Sequence, residues 1–284
     1  MSVVATQERD PERGVALLLV VWVMALLAVI CVAVTADVRS DLKVARNRVD
    51  AAQARALAEG GVWWGIERLA NADSRKTLRV DGTPYAVSLD GRAIEVAIEN
   101  EGGKLDINAA SIETFERLFI GAGLPRDEAR QTAQAIEGYR IAFRSRHPND
   151  DPFAAIEEIR QVPGIGPRAY MRIARFLTVA TGEARVNPLT APREVLLTVP
   201  GMTPRMIEAY FARRNTAGAA IELPPGDLVN HLTWRAAEVV TVRATARVAS
   251  GAAYIREAVV SVAERDRPYR IMAWRQGFAE SDDE

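Results

Sequence analysis

Arg13-Gly14-Val15, followed by the run ALLLVVWVMALLAVICVAV to Val34, is the stretch that decides how this chain is built. From Val15 to Val34 there is no Asp, Glu, Lys or Arg. A hydrocarbon core of about 30 Å needs ~20 apolar helical residues to cross it, and the run supplies that many. It predicts a membrane anchor. A secretory signal peptide places its small-residue cleavage site after the apolar run, whereas here the basic–glycine pair lies before it. Flanking charge does not set the orientation. Residues 1–14 are slightly acidic while Arg39, Lys43, Arg46 and Arg48 follow the run, against a simple positive-inside pattern.

The rest of the 284 residues is ordinary globular material, 49% hydrophobic and 26% charged. That length suffices for one sizeable domain or two small ones. Net charge is −1, and leaving out residues 1–14 makes acidic and basic side chains equal in number. Such a balance exerts no overall pull on nucleic acid. Cys31 is the only cysteine and lies inside the apolar run, which excludes an intrachain disulfide and a thiolate zinc site. His147 and His231 have no Ser or Cys nucleophile arranged with them, so no catalytic constellation converges.

Beyond the anchor, Val38, Leu42, Ala45, Val49, Ala52, Ala56, Val62 and Ile66 recur at helical spacing, with no proline until Pro84. They predict one helix from about Val15 to about Leu69, roughly 80 Å long, weakened at Gly60-Gly61. Of Trp63 and Trp64, at least one is expected to pack under a sheet. From Lys76 the period changes to two. Thr77–Val80, Tyr85–Leu89 and Ile94–Ile98 read as strands separated by Asp81-Gly82 and Asp90-Gly91 turns. Val239–Val248, Ala253–Ala263 and Tyr269–Trp274 read as three more. A helical, Gly/Pro-punctuated stretch from about Asn108 to Leu232 separates the two sets, which predicts one sheet with a helical domain inserted in it.

The inserted stretch repeats itself. Asp106-Ile107-Asn108-Ala109-Ala110-Ser111-Ile112-Glu113-Thr114-Phe115-Glu116-Arg117-Leu118 recurs as Arg185-Val186-Asn187-Pro188-Leu189-Thr190-Ala191-Pro192-Arg193-Glu194-Val195-Leu196-Leu197, each copy with an Asn ahead of a Ser or Thr helix cap. Val162-Pro163-Gly164-Ile165-Gly166-Pro167 has two readings. Gly164 and Gly166, with Arg168, Arg172 and Arg175 behind them, can bring backbone N–H groups to a phosphate. Alternatively they form a tight turn between packed helices, which the nearby Glu157 and Glu158 favour. Glu280-Ser281-Asp282-Asp283-Glu284 is a short acidic tail, expected to be disordered.

Taken together, these features resemble the K-class minor pseudopilins of type II secretion systems. The resemblance rests on Arg13-Gly14 before the apolar helix, on Leu19 in place of the usual Glu, on Asp106-Ile107-Asn108-Ala109-Ala110-Ser111, and on Gln161-Val162-Pro163-Gly164-Ile165-Gly166. It implies an α+β, pilin-like fold: a long N-terminal helix on an antiparallel sheet, with a large helical domain of helix–hairpin–helix or SAM-like type inserted. Residues 1–14 would be a prepilin leader, 15–35 the transmembrane helix, 36–107 the pilin-like helix and first strands, 108–232 the insertion, 233–278 the C-terminal strands and 279–284 the tail. Cleavage by prepilin peptidase after Gly14, with methylation of the new amine, would make Val15 the first mature residue and Leu19 the fifth, where most pilins carry Glu. Leu19 would then specify the pseudopilus tip.

The resemblance further implies a single-pass inner-membrane protein in contact with lipid, its globular part periplasmic. I-class and J-class minor pseudopilins and the other pseudopilins would be its partners. No specific nucleic acid, no catalysis and no required cofactor are expected. Family members can bind calcium through a longer acidic segment, for which Asp150 and Asp151 are the candidates here. The alternative from another class is a membrane-anchored helix–hairpin–helix receptor for DNA uptake. It accounts for the hairpins but not for the strands on both sides of them, nor for the glycine junction.

Overall fold

Sixty residues from Pro11 to Ala70 form one helix, α1. The computed structural model describes residues 11–214, 227–262 and 268–277, with the side chains of 11–18, 33–38, 40, 227 and 229 outside that description. The expected leader, apart from its last four residues, and the acidic tail lie outside the described residues. After α1 comes a short helix, α2 (Ala72–Thr77), then strands β1 (Tyr85–Leu89) and β2 (Arg92–Asn100). The chain returns to the same sheet only at β5 (Val239–Arg247), β6 (Ala253–Ser261) and β7 (Arg270–Gln276). The order across the sheet is β1-β2-β5-β6-β7, with every neighbour antiparallel. The α+β class read from the sequence holds.

Thr77–Val80, expected as a strand, is not one. The Asn71 side chain accepts hydrogen bonds from Asp73 N and Ser74 N and starts α2, which Lys76 and Asp73 tie at 3.0 Å. A local cap outcompetes strand pairing here. Beyond α2 the chain only skirts β2, with Asp81 bridged to Glu99. The Asp90-Gly91 turn forms as expected, with both residues at positive φ, 49° and 72°, the geometry of a tight hairpin.

The face that α1 turns to the sheet also differs from expectation. Leu42 and Val49 are exposed, as are Ala45, Ala52 and Ala56. Packing begins only at Ala54 and runs through Leu57, Ala58, Val62, Ile66 and Leu69. Gly60-Gly61 does not interrupt the helix; glycine is required there by distance. A Cβ on Gly61 would lie 2.8 Å from both Ala244 Cβ and Ile94 Cδ1, and one on Gly65 would lie 2.5 Å from Val242 Cγ1. Trp64 is half-buried, 5.8 Å from the Tyr85 ring, while Trp63 stays 47% exposed against Trp274 and Tyr269.

Between β2 and β5 lies a helical lobe. It comprises β3 (Leu105–Asp106), α3 (Ile112–Gly121), α4 (Arg126–Arg144), a 3-10 turn (Ile156–Gln161), α5 (Pro167–Ile173), β4 (Leu177–Thr178), α6 (Arg193–Thr198) and α7 (Pro204–Arg214). Its hydrophobic core, centred on Phe115, Phe119, Ile136, Phe153 and Ile173, is separate from the core under α1. The two repeated asparagines are both buried and both fasten distant backbone. Asn108 bonds Phe153 in both directions, and Asn187 bonds Arg235 O. Ser111 caps α3 as expected. Thr190 does not cap α6. Pro192, which has no side-chain acceptor, takes the position before the first helical residue, and Thr190 Oγ1 turns back to Asn187 O.

Two glycines make the helix–sheet contact testable by opposite signs. Gly138, within α4, has open space where a Cβ would stand. Gly138→Ala should raise stability by about 0.5–1 kcal/mol through the backbone term. Gly65→Ala gains the same term but must push Val242 aside, and should lower stability by about 1–3 kcal/mol. Urea melts of the two variants check this, and a stabilising Gly65→Ala would refute the close approach.

Candidate functional site

Alternation along β5 separates two faces. Val240, Val242, Ala244 and Ala246 belong to the core under α1, so Thr241 and Arg243 point to the opposite side. There the register sets Arg243 across from Glu257 and Glu257 across from Arg275. Glu257 accepts from Arg243 Nε at 2.7 Å and from Arg275 Nε at 3.0 Å. Arg275 reaches on to Glu157 of the lobe at 3.6 Å. Beside this row, Lys104 Nζ lies 2.7 Å from Glu101 and 3.1 Å from Glu99, and Thr241 donates to Glu101 at 2.7 Å. A charged ladder thus lies between the sheet and the lobe.

The ladder's titration follows from its geometry. Burial alone would push the Lys104 ammonium down, but the carboxylates of Glu101 and Glu99 outweigh it and hold it above its ordinary value. Burial likewise works to raise Glu99, and the charges of Lys104 and Arg243 overcome it, so this carboxyl sits below its usual range. Within the lobe, Arg140 is 3% exposed. Its guanidinium donates to Ile107 O, Ala110 O and Glu137, and burial pushes its pKa down.

A cleft of 690 Å³ opens beside the ladder, with α3, α5 and α6 on one side and Thr241, Arg243, Glu257 and Arg275 on the other. The hairpin lies elsewhere on α5. Gly164 has a φ of +94°, and a Cβ there would lie 2.6 Å from Thr132 Oγ1 on α4. Gly166 is the residue before α5 and Arg168 is exposed. Arg172 donates to Ala122 O at 2.8 Å and Arg175 lies 3.5 Å from Glu194, so these two arginines address the protein itself. The structure brings Gly164, Gly166 and Arg168 together but not with any other expected site residue.

Asp150 and Asp151 are exposed on the loop after α4, with His147 Nδ1 3.9 Å from Asp150. Among the described residues, no group of three or more His, Cys, Asp or Glu is placed to hold a metal ion. Gly14 and Val15 fall in α1, their side chains outside the description. Leu19 is 61% exposed, and every residue from Leu19 to Val32 is exposed. So long an exposed apolar surface marks a place for lipid or protein. Among the described residues no helix is long and apolar enough to cross a membrane; both ends of the expected span, Val15–Val34, lie outside the described side chains.

No family model matches the chain. The type II secretion system protein K of Pseudomonas aeruginosa is 24% identical to it over 277 residues, covering 79% of this chain and 78% of the relative. This chain is similar to a type II secretion protein. The likeness supports the K-class resemblance read from the motifs, and its extent takes in most of the chain rather than one helix or hairpin.

The ladder escaped the sequence reading. Its one local signal was the alternation Thr241-Val242-Arg243-Ala244, a polar face on a strand whose apolar face is complete; Glu257 and Arg275 join it only through register. The expected pH behaviour follows by sign. Glu99, held low, contributes stability above the ordinary carboxylate range, and that share is lost as acid protonates it. Lys104, held high, contributes below the ordinary amine range, and its share is lost as pH rises through the raised value. Lys104→Met strands two carboxylates and should cost about 3–5 kcal/mol near neutral pH. The deficit should shrink towards about pH 4, as acid protonates the stranded Glu99 carboxylate. Denaturant melts at both pH values measure it, and a deficit that grows in acid would overturn the assignment.

Proposed function

We propose that this chain is a minor pseudopilin that stands at the tip of a type II secretion pseudopilus and helps initiate its assembly, with no turnover of its own. In this reading prepilin peptidase cuts after Gly14, Val15 becomes the methylated N-terminus, and the apolar part of α1 holds the protein in the inner membrane. The sheet and the lobe are periplasmic, and the partners are the I-class and J-class minor pseudopilins. No cofactor is required.

The observation that carries the reading is Leu19. In a fibre of pilin-like helices, an acidic fifth residue neutralises the N-terminal amine of a neighbour inside an apolar core. A buried carboxylate without a partner is costly, so a subunit with no neighbour ahead of it is better served by an apolar side chain. The lobe argues in the same direction. It occupies the face of the sheet opposite α1, bulk that a terminal position accommodates and a repeating one crowds. The exposed side chains from Leu19 to Val32 are then covered by lipid before assembly and by partner helices after it. The hairpin at Gly164 and Gly166 is structural, its turn packed on Thr132.

Deleting the protein should impair secretion or change pseudopilus number and length, while Leu19→Glu should perturb secretion less than deletion. Crosslinking or electron cryomicroscopy that finds this chain repeated along the shaft would falsify the tip assignment. Processing has its own measurement: N-terminal sequencing of the mature protein should begin at Val15, and a different start removes Gly14 as the cleavage site.

A further inference from the structure

Three cations just beyond the apolar run form a row on α1. Arg39, Lys43 and Arg46 are all exposed, and none of them has an ion-pair or hydrogen-bond partner among the described residues. Positions i, i+4 and i+7 share one side of a helix. Asp50, about one turn further on, is the row's single carboxylate and is half-buried. Arg48 lies on another side, the one that Asp41 shares. Leu57 and Gly61 stand about five helical turns past Arg39 and Lys43, and both meet the sheet. Leu57 belongs to the core under α1, and a Cβ on Gly61 would strike Ala244 and Ile94. The row therefore runs down the side of α1 that carries the sheet, in the space beneath it. The apolar positions Leu42, Ala45, Val49, Ala52 and Ala56 are exposed on the far side, where a partner helix would pack.

What lies beneath the sheet is set by the same helix. Its exposed apolar side chains run from Leu19 to Val32, so a bilayer that covers them ends near Val34. On an upright helix Arg39, Lys43 and Arg46 then stand about 8, 14 and 18 Å above the hydrocarbon, and the headgroup layer is roughly 5–8 Å deep. Long basic side chains reach back towards that layer, and a lean towards the row brings all three nearer to it. We propose that Arg39, Lys43 and Arg46 bind the phosphates of anionic phospholipids and lean α1 towards its sheet side, holding the sheet and the lobe over the membrane surface. The proposal rests on the membrane anchoring given under Proposed function and adds to it the class of lipid and the direction of tilt.

The test reconstitutes the full chain in phosphatidylcholine vesicles. Electron paramagnetic resonance then measures the share of spin-labelled phosphatidylglycerol, or of spin-labelled phosphatidylcholine, that is slowed at the protein surface. One cation near an anionic surface contributes about fivefold, so phosphatidylglycerol should associate at least about fivefold more strongly than phosphatidylcholine. The preference should fade from about 50 to about 500 mM salt. It should vanish when Arg39→Gln, Lys43→Gln and Arg46→Gln are combined, all on an exposed part of α1 below the sheet core. Arg48→Gln removes one charge away from the row and should keep the preference. Equal association of the two lipids, which would leave the row to an acidic protein, overturns the proposal. So does a preference that survives the triple substitution, or one that Arg48→Gln abolishes. A chain that alkaline carbonate strips from the vesicles refutes the anchor itself, and the proposal with it, whereas a chain that stays and shows no lipid preference refutes the proposal alone.

Discussion

Everything in this molecule depends on the pairing of β2 with β5 across the lobe that separates them in sequence. The pairing runs from Ile94 opposite Ala246 to Asn100 opposite Val240. Just past it, Asn100 closes the neck: its side chain donates to Ala237 O at 2.8 Å and accepts from Ala237 N at 3.0 Å and Gly102 N at 3.0 Å. Bringing together the ends of a flexible loop of about 140 residues would cost roughly 4 kcal/mol plus a constant, growing only slowly with length. A lobe with its own core removes much of that cost, because its two ends are already close when the strands meet. The sheet can therefore carry a bulky insertion without losing its register.

The parts legible in the sequence are those governed by local pattern. Alternation located β5 and β6 to within two residues at each end, the Asp90-Gly91 turn set the first hairpin, and Ser111 marked the start of α3. The parts that were not legible depend on what a residue meets in space. Thr77–Val80 alternates like a strand, yet Asn71 caps a helix a few residues earlier. The apolar stripe of α1 was traced through Leu42 and Val49, but the sheet reaches only as far as Ala54, and glycines rather than large side chains mark the contact. Of the expected site residues, Gly164, Gly166 and Arg168 cluster because they are adjacent in sequence. Glu99, Glu101, Lys104, Arg243, Glu257 and Arg275 come from four stretches, and only strand register assembles them.

Near-zero net charge also gains a structural meaning. The two faces of the sheet use different chemistry: hydrophobic close packing under α1, and alternating opposite charges towards the lobe. Directly facing opposite charges on neighbouring strands support one another, and here the row Arg243–Glu257–Arg275 hands on to Glu157 of the lobe. Buried ion pairs add little net stability over apolar packing, but they are exacting about geometry. A lobe seated on such a row has one favoured orientation, whereas a greasy contact would tolerate several.

Gly61 and Gly65 have a mechanical consequence. The side chains of Ile94, Ala244 and Val242 fill the notches these glycines leave in the helix surface, so α1 does not rest on a smooth track. Sliding it along its own axis would drive the bulk of neighbouring helical residues into Val242 and Ile94. A pull along the exposed N-terminal arm is thus met in shear, by several detents acting at once, rather than by peeling contacts one at a time. The helix and the sheet transmit axial load as a single rigid strut.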